Sequence, residues 1–524
     1  MEVIYVNECK KLLELTNNVP RMNVPGASVT ERTDCHGYPF YIIRGTTKVD
    51  FINYLESLKA CGFSMCMETG IIGGSRMRNA TYRRGEVFVS IMHGRTTTLI
   101  SHHLYPHYIE VNVDQLFSKI PKLKGYGSVS HKPVKTGNGT CQMIIERTLK
   151  EHYLRYLEEL ETAGFTKFSD NGDGIDGNVF NNIFVKNNLV VSVIYLKKTN
   201  VTYILAAENQ PLSEHLHIKQ EYIENNREGA NTKLHMLEMW GFGNSFVFQL
   251  KNGHFIVSDG GLQSETNYFL DYIENLVPKG EKPVIEAWFL SHPHPDHTGV
   301  MQKIGRTPEL AQRIYVEGIY YNEPSDCVLN THLECSRQDS ELTWKAIDGL
   351  WTTKGEHPKI YRTLTGQRYY FCDITVDVLL GQDQLPLEKY YREDVNESST
   401  WLVINIEGQK CLFGGDGHTG GMSFMMHNYS KKYFEMDIVT SLHHSGNSRN
   451  YFTDFCSIKT LLVTRGTEPT RRIEENKYLR DSVEEWFSRA EGTRVLTFPY
   501  VIGSSEILPH FDWKYHQGLE KPNY

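Results

Sequence analysis

The chain has 524 residues, more than one hydrophobic core ordinarily organises, so two to four folding units are expected. Apolar residues at 40% and charged residues at 23% describe a globular chain, not a disordered or membrane-embedded one. A formal charge of -8 argues against a broad basic face for long nucleic acid and leaves room only for a local basic pocket.

The opening "MEVIYVNECKKLLELTNN" has no basic-then-apolar secretion pattern. No uninterrupted apolar run of about 18 residues occurs, so no membrane partner is expected. Ten cysteines without a C-x-x-C pair read as reduced thiols, which gives a cytoplasmic location as the expectation.

After an N-terminal segment (1–36), the stretch "YIIRGTTKVDFINYLESLKACGF" from Tyr41 is matched by "MIIERTLKEHYLRYLEELETAGF" from Met143. The offset of 102 pairs Tyr54 with Tyr156, Gly62 with Gly164 and Ser90 with Ser192. Two copies of a small α+β module are therefore expected, at 37–110 and 137–210. In each, apolar residues at three-to-four spacing (Phe51, Leu55, Leu58; Tyr153, Leu157, Leu160) predict a helix. Gly62 and Gly164 stand where a helix end favours a left-handed residue, and period-two segments follow as strands. The Gly, Pro and Lys content of "KIPKLKGYGSVSHKPVKTGNGT" reads residues 111–136 as a linker. The modules carry no cluster of catalytic residue types, and are expected to pack against a partner, as in a homo-oligomer, or to shape a site.

A third unit (232–524) begins after the polar "EYIENNREGANTK". Its strands end one after another at ionisable residues: "FIVSDGG" at Asp259, "VIEAWFL" before "SHPHPDH", "CLFGGD" at Asp416 and "DIVTSLHHSGN" at His443 and His444. Pro293 and Pro295 push the residues before them, His292 and His294, into extended conformations. Extended residues two apart point the same way, so both imidazoles face one point. Asp296 and His297 follow at the turn into a helix expected from Thr298 and reach a second point nearby. Imidazole and carboxylate without thiolate suit Zn, with Mn or Fe as alternatives.

The motif His292-x-His294-x-Asp296-His297 resembles the signature loop of the metallo-β-lactamase-fold hydrolases, and the other landmarks occur in that family's order. The resemblance implies a four-layer αββα sandwich from about Lys233 onward, preceded by the repeated α+β module. It implies one or two divalent metal ions. One would sit on His292 and His294, the other on Asp296, His297 and His443, with Asp416 bridging and Asp259 supporting the loop. A further family histidine, upstream of the bridging aspartate, is replaced here by "EDVNESSTWLVINI". Asn396, Glu397, Ser398 or Ser399 fills that gap, or water does. "GFGNS", "NESS" and "HHSG" are similar to the hydrolase domain of competence (DNA-uptake) proteins.

The reaction so implied is attack of a metal-bound hydroxide on a small or medium anionic ester, a phosphodiester being favoured. A carboxylic ester or lactone is the alternative within enzymes. A weakly metal-binding scaffold whose N-terminal repeats bind a partner is the alternative outside them. Asp296 is expected to orient the nucleophile, His418 to donate a proton, His444 to face the substrate and Arg449 to hold its anionic group.

Overall fold

The computed structural model describes residues 19–33, 39–69, 77–104, 109–137, 139–219, 227, 229–239, 243–324, 336–381, 395–445, 455–464, 483–488 and 491–509.

The first sheet holds β1 (Ser28–Thr33), β2 (Pro39–Arg44), β3 (Ser64–Thr69), β4 (Met77–Arg84), β5 (Val87–Gly94) and β6 (Thr97–Leu104), in the order β1-β2-β6-β5-β4-β3. Helix α1 (Lys48–Ala60) connects β2 to β3. It starts where Thr47 and Asp50 cap each other: Asp50 N–H donates to Thr47 Oγ1 at 3.3 Å and Thr47 N–H to Asp50 Oδ2 at 2.7 Å. It buries Phe51, Tyr54, Leu55 and Leu58 on one face and gives way at Gly62, with φ +81°.

The next stretch contains α2 (Val113–Ser118), β7 (Val129–Ser130), β8 (Val134–Lys135), β9 (Thr140–Glu146), α3 (Lys150–Thr162), β10 (Thr166–Asp170), β11 (Val179–Lys186), β12 (Leu189–Leu196) and β13 (Val201–Glu208). The second sheet runs β10-β11-β12-β13-β9-β7, with β8 also on β9. The linker segment thus holds a short helix and two strands of two residues, too short to show a period. β1 likewise lies within the N-terminal segment and pairs with β2.

Along β12 the two faces serve different masters. Val191, Val193 and Tyr195 join the core under α3, whereas Val190, Ile194 and Leu196 join cores of the C-terminal domain. Alternation at period two makes one strand serve both. Polar ties reinforce the contact: Asn181 Nδ2 donates to the Thr365 carbonyl at 2.8 Å, and Arg362 Nη1 to Thr140 Oγ1 at 2.8 Å.

The C-terminal domain begins with β14 (Lys233–Met236), β15 (Ser245–Gln249), β16 (Phe255–Asp259), α4 (Thr266–Glu274), β17 (Val284–Leu290), α5 (Pro295–Gly305), β18 (Tyr315–Val316), β19 (Gly318–Tyr321), α6 (Ser336–Ile347) and β20 (Lys359–Tyr361). It continues with β21 (Arg368–Phe371), β22 (Ile374–Leu380), β23 (Trp401–Ile406), β24 (Gln409–Phe413), α7 (Thr419–Asn428), β25 (Glu435–Thr440), β26 (Ser457–Val463), β27 (Glu485–Ser488), β28 (Arg494–Thr497) and β29 (Glu506–Ile507). One sheet is ordered β20-β19-β17-β16-β15-β14-β28-β29, with β18 beside β17; the other is ordered β21 through β27.

The two sheets face each other. Phe246, Phe248 and Phe289 from one meet Ile404, Ile406 and Phe413 from the other in a shared core. The opposite faces are covered by helices: Val247 and Trp288 pack with Phe269 of α4 and Val300 of α5, and Trp401 and Val403 pack with Met422 and Met425 of α7. The result is an α/β sandwich with helices outside both sheets. Helix α5 starts at Pro295, earlier than Thr298, because proline suits the first helical position, where no N–H is needed. Among the described residues no helix is long and apolar enough to cross a membrane.

Candidate metal centre

Strands β16, β17, β24 and β25 end at one edge of the sandwich, and each delivers a side chain there. After β17, His294 is extended, with φ -64° and ψ 147°, whereas the chain bends at His292 and Pro293. His292 Nε2 and His294 Nδ1 approach to 2.9 Å, as the spacing implies. At the start of α5, Asp296 and His297 turn towards the same edge. Gly414, Gly415 and Gly417 flank Asp416 in a tight turn. A Cβ at Gly417 would lie 2.4 Å from Trp401 Nε1, so glycine lets the loop close against that indole.

Two groups of ligand atoms result, the atoms within each lying no more than 4.8 Å apart. Asp296, His297, Asp416 and His444 form one; His292, His294 and Asp416 form the other. Asp416 belongs to both, where the sequence places a bridging carboxylate.

The last histidine pair is arranged differently from the expectation. His444 Nε2 lies 3.2 Å from Asp296 Oδ2 and 3.3 Å from Asp416 Oδ1, inside the first group. His443 Nε2 is 3.7 Å from Asp416 Oδ2, its side chain is 31% exposed, and its ring packs edge-on against His418 at 4.5 Å. The geometry gives His444 the inner position and His443 the rim. The physical reason is local: both residues have left-handed backbones, φ +46° and +48°, so the alternation of β25 does not carry through to them. Thr464 Oγ1, beyond the end of β26, holds His444 Nδ1 at 3.1 Å.

Asp259 supports His297. Its Oδ2 accepts from His297 Nδ1 at 2.8 Å, fixing the tautomer that turns Nε2 towards the cluster. The same carboxylate accepts from Ser291 N–H at 2.8 Å, Ser291 Oγ at 3.0 Å and Asn244 Nδ2 at 3.2 Å. Asp259 itself has φ +58°, an unfavourable conformation for a residue with a side chain, held by these contacts.

Charge explains what the cluster is suited to hold. Burial works against an ionised Asp416, yet His444 and His297 beside it keep its carboxyl well below the usual range. Burial would lower His297, but Asp416, Asp259 and Asp296 hold it well above the ordinary imidazole value. His444 is raised in the same way against its burial, first by Asp416 and then by Asp296. His292 moves down, driven by burial and then by His297 and His294. His297 Nε2, His444 Nε2 and Asp416 Oδ1 are buried and face one another without a hydrogen bond of normal geometry. Buried carboxylates with imidazole nitrogens turned inward are the donor set that a divalent transition metal takes. The residues fit the ion.

The other expected site residues lie as follows. Glu397 is buried, and its carboxylate accepts from Gly420 N–H at 3.0 Å and Gly421 N–H at 3.4 Å, at the N-terminus of α7. Asn396 is buried in the same turn. Neither is in a metal group. From "NESS" it is Ser399 that reaches the centre: its Oγ accepts from Asp416 N–H at 3.1 Å and lies 3.4 Å from His292 Nδ1. His418 occupies the residue before α7, at the rim beside His443. Arg449 lies outside the described residues. Ser291, Asn244 and Thr464 were not singled out from the sequence. For Thr464 there was a signal, since "KTLLV" is another strand of this domain that ends at a polar residue.

Residues 239–448 match the family model described as "Metallo-beta-lactamase superfamily". No curated protein matches the chain. Among solved structures, a "HARLDQ motif" metallo-beta-lactamase from Cronobacter sakazakii aligns at 12% identity over 39% of this chain and 77% of that one, with a TM-score of 0.22. Zn(2+)-bound PqqB from Methylobacterium extorquens aligns at 10% identity over 48% and 86%, with a TM-score of 0.31. Tm1679, a metal-dependent hydrolase of the beta-lactamase superfamily, aligns at 11% identity over 50% and 98%, with a TM-score of 0.31. These three likenesses add nothing to the family match.

Proposed function

We propose that the chain is a hydrolase of the metallo-β-lactamase superfamily, whose model residues 239–448 match, and that it cleaves a small or medium anionic ester, with a phosphodiester as the favoured substrate and zinc as the metal. The observation that carries this reading is the pair of His/Asp groups sharing Asp416 at one sheet edge. His292, His294 and Asp416 would hold one divalent ion, and Asp296, His297, His444 and Asp416 another; such ions, when bound, would make hydroxide available at neutral pH and stabilise developing negative charge.

The chain's own residues do the rest. Asp259 holds His297 in one tautomer through Nδ1. Asp296, whose Oδ2 lies 3.2 Å from His444 Nε2, is placed to orient the attacking oxygen by accepting a hydrogen bond from it. His418 and His443, edge to face at the rim, are placed to donate a proton to a leaving oxygen. Trp401 and the glycines packed on it keep that side of the centre dry. The acidic composition supports a compact substrate over long nucleic acid, and the "GFGNS", "NESS" and "HHSG" stretches support a phosphorus–oxygen ester.

The two N-terminal units are read as copies of one module. Helix α1 begins at Lys48 and α3 at Lys150, β3 at Ser64 and β10 at Thr166, in each case 102 residues later. The orders β2-β6-β5-β4-β3 and β9-β13-β12-β11-β10 correspond strand for strand. With the second copy occupied by the hydrolase domain, the first is the one to mediate self-association in a cytoplasmic protein.

The test is turnover of bis-nitrophenyl phosphate against nitrophenyl acetate by metal-loaded protein. Faster, metal-dependent phosphodiester cleavage supports the reading. Ester cleavage alone transfers it to carboxylic esters, and no metal-dependent cleavage of either removes it.

A further inference from the structure

The second N-terminal sheet and α7 border an open cavity of about 960 Å³ that none of the metal-group residues lines. We propose that it binds a small amphipathic anion: a compact apolar body carrying one carboxylate, sulfonate or phosphate group. Its volume is at the upper end of small-molecule sites, which span about 300–1,000 Å³ and favour boundaries between folding units.

The cavity exists because one sheet face outruns its cover. Ile194 and Leu196 on that face are buried against the C-terminal domain, while Ile144 and Val201 on the same face are only partly covered and line the cavity. Phe424 and Asn428 of α7 form the opposite wall. One end is sealed where Thr199 Oγ1 donates to Asn428 Oδ1 at 2.8 Å and Lys198 Nζ to the Tyr429 carbonyl at 2.6 Å. At the rim, Val134 and Leu149 are 40% and 47% exposed, apolar surface left in water beside an apolar hollow.

The mouth is cationic. Lys132 and Arg147 line it, and neither has an ion-pair partner among the described residues. The acidic Glu146 is paired with His131 at 3.2 Å. Arg147 carries an independent sign of purpose. Its backbone is left-handed, φ +58°, while the equivalent position in the first unit is Gly45, φ +88°. Glycine adopts that conformation without strain, so the arginine is kept there at a conformational cost. A cation at this turn, over an apolar hollow, recognises an anion with an apolar body.

The test uses the metal-loaded full chain and anilinonaphthalene sulfonate as the probe, followed by fluorescence. A single saturable enhancement is expected. The paired change Lys132→Glu and Arg147→Glu, at exposed positions, should weaken binding by about tenfold or more. Leu149→Trp, also exposed, should block it by filling the mouth. Both variants should keep the wild-type circular dichroism, and Asp416→Ala should bind the probe as wild type does. Absence of saturable binding, wild-type affinity in both mouth variants, or loss of binding in Asp416→Ala would overturn the proposal. The last outcome places the probe at the metal centre, which separates this inference from the catalytic reading.

Discussion

Replacing Asp259 by asparagine probes how much of the metal centre is built outside the metal groups. The native carboxylate accepts four hydrogen bonds, from Ser291 N–H and Oγ, Asn244 Nδ2 and His297 Nδ1. An amide of the same shape offers one acceptor and turns N–H donors onto the other position. Either Ser291 N–H loses its acceptor, or His297 Nδ1 and its two companions do. If the oxygen faces His297, one buried donor is stranded; if the nitrogen does, the imidazole is driven to the other tautomer and Nε2 can no longer bind metal. Loss of such a supporting partner typically costs 10–100-fold in metal affinity, about 1.4–2.7 kcal/mol. The expected result is weakening of this size at the Asp296 group, measured by competition with a chromogenic chelator on stripped protein. Affinity within about twofold of wild type would refute the reasoning, because that little change is far below one orienting hydrogen bond.

Asp416→Ala should remove metal from both groups and abolish turnover while circular dichroism stays native, because both ions lose their shared carboxylate. His444→Ala should lower metal content; His443→Ala should leave metal content near wild type and reduce turnover, since only His444 lies within a metal group. Elemental analysis beside rate measurements separates the two. Glu397→Ala should cost stability, by about 1–3 kcal/mol for the lost acceptor at the α7 N-terminus, with metal content kept. Thermal unfolding reads the first effect, and a loss of bound metal would contradict the second.

The metal loop was legible because proline and histidine spacing acts within a few residues: Pro293 and Pro295 dictate the backbone, and the backbone dictates where His292 and His294 point. The sandwich was legible because "VIEAWFL" and its fellow strands carry apolar side chains on both faces, as strands between a partner sheet and a helix layer must. The order of His443 and His444 was not. Two consecutive left-handed residues cancel the alternation from which the side-chain direction is read, and nothing in "LHHSG" announces them. The direction of Glu397 was hidden for a different reason. Its partners, the N–H groups of Gly420 and Gly421, lie more than twenty residues downstream, and only the tertiary fold brings that helix end to it. The short strands Val129–Ser130 and Val134–Lys135 exist only because β9 offers an edge, which local composition does not record.

Loading stripped protein with zinc, with bound ions counted at each addition, reads the paired metal groups themselves. The Asp296 group offers four protein ligands and the His292 group three, one of them shared. Catalytic zinc is commonly satisfied by three protein ligands and water, so both groups should fill, but the four-ligand group should fill first and empty last under mild chelation. Two sequential steps ending at two ions per chain are expected, with the first step lost in His444→Ala and both lost in Asp416→Ala. Zinc-free protein at saturating metal, or two tight ions retained in Asp416→Ala, would contradict a metal centre built on Asp416.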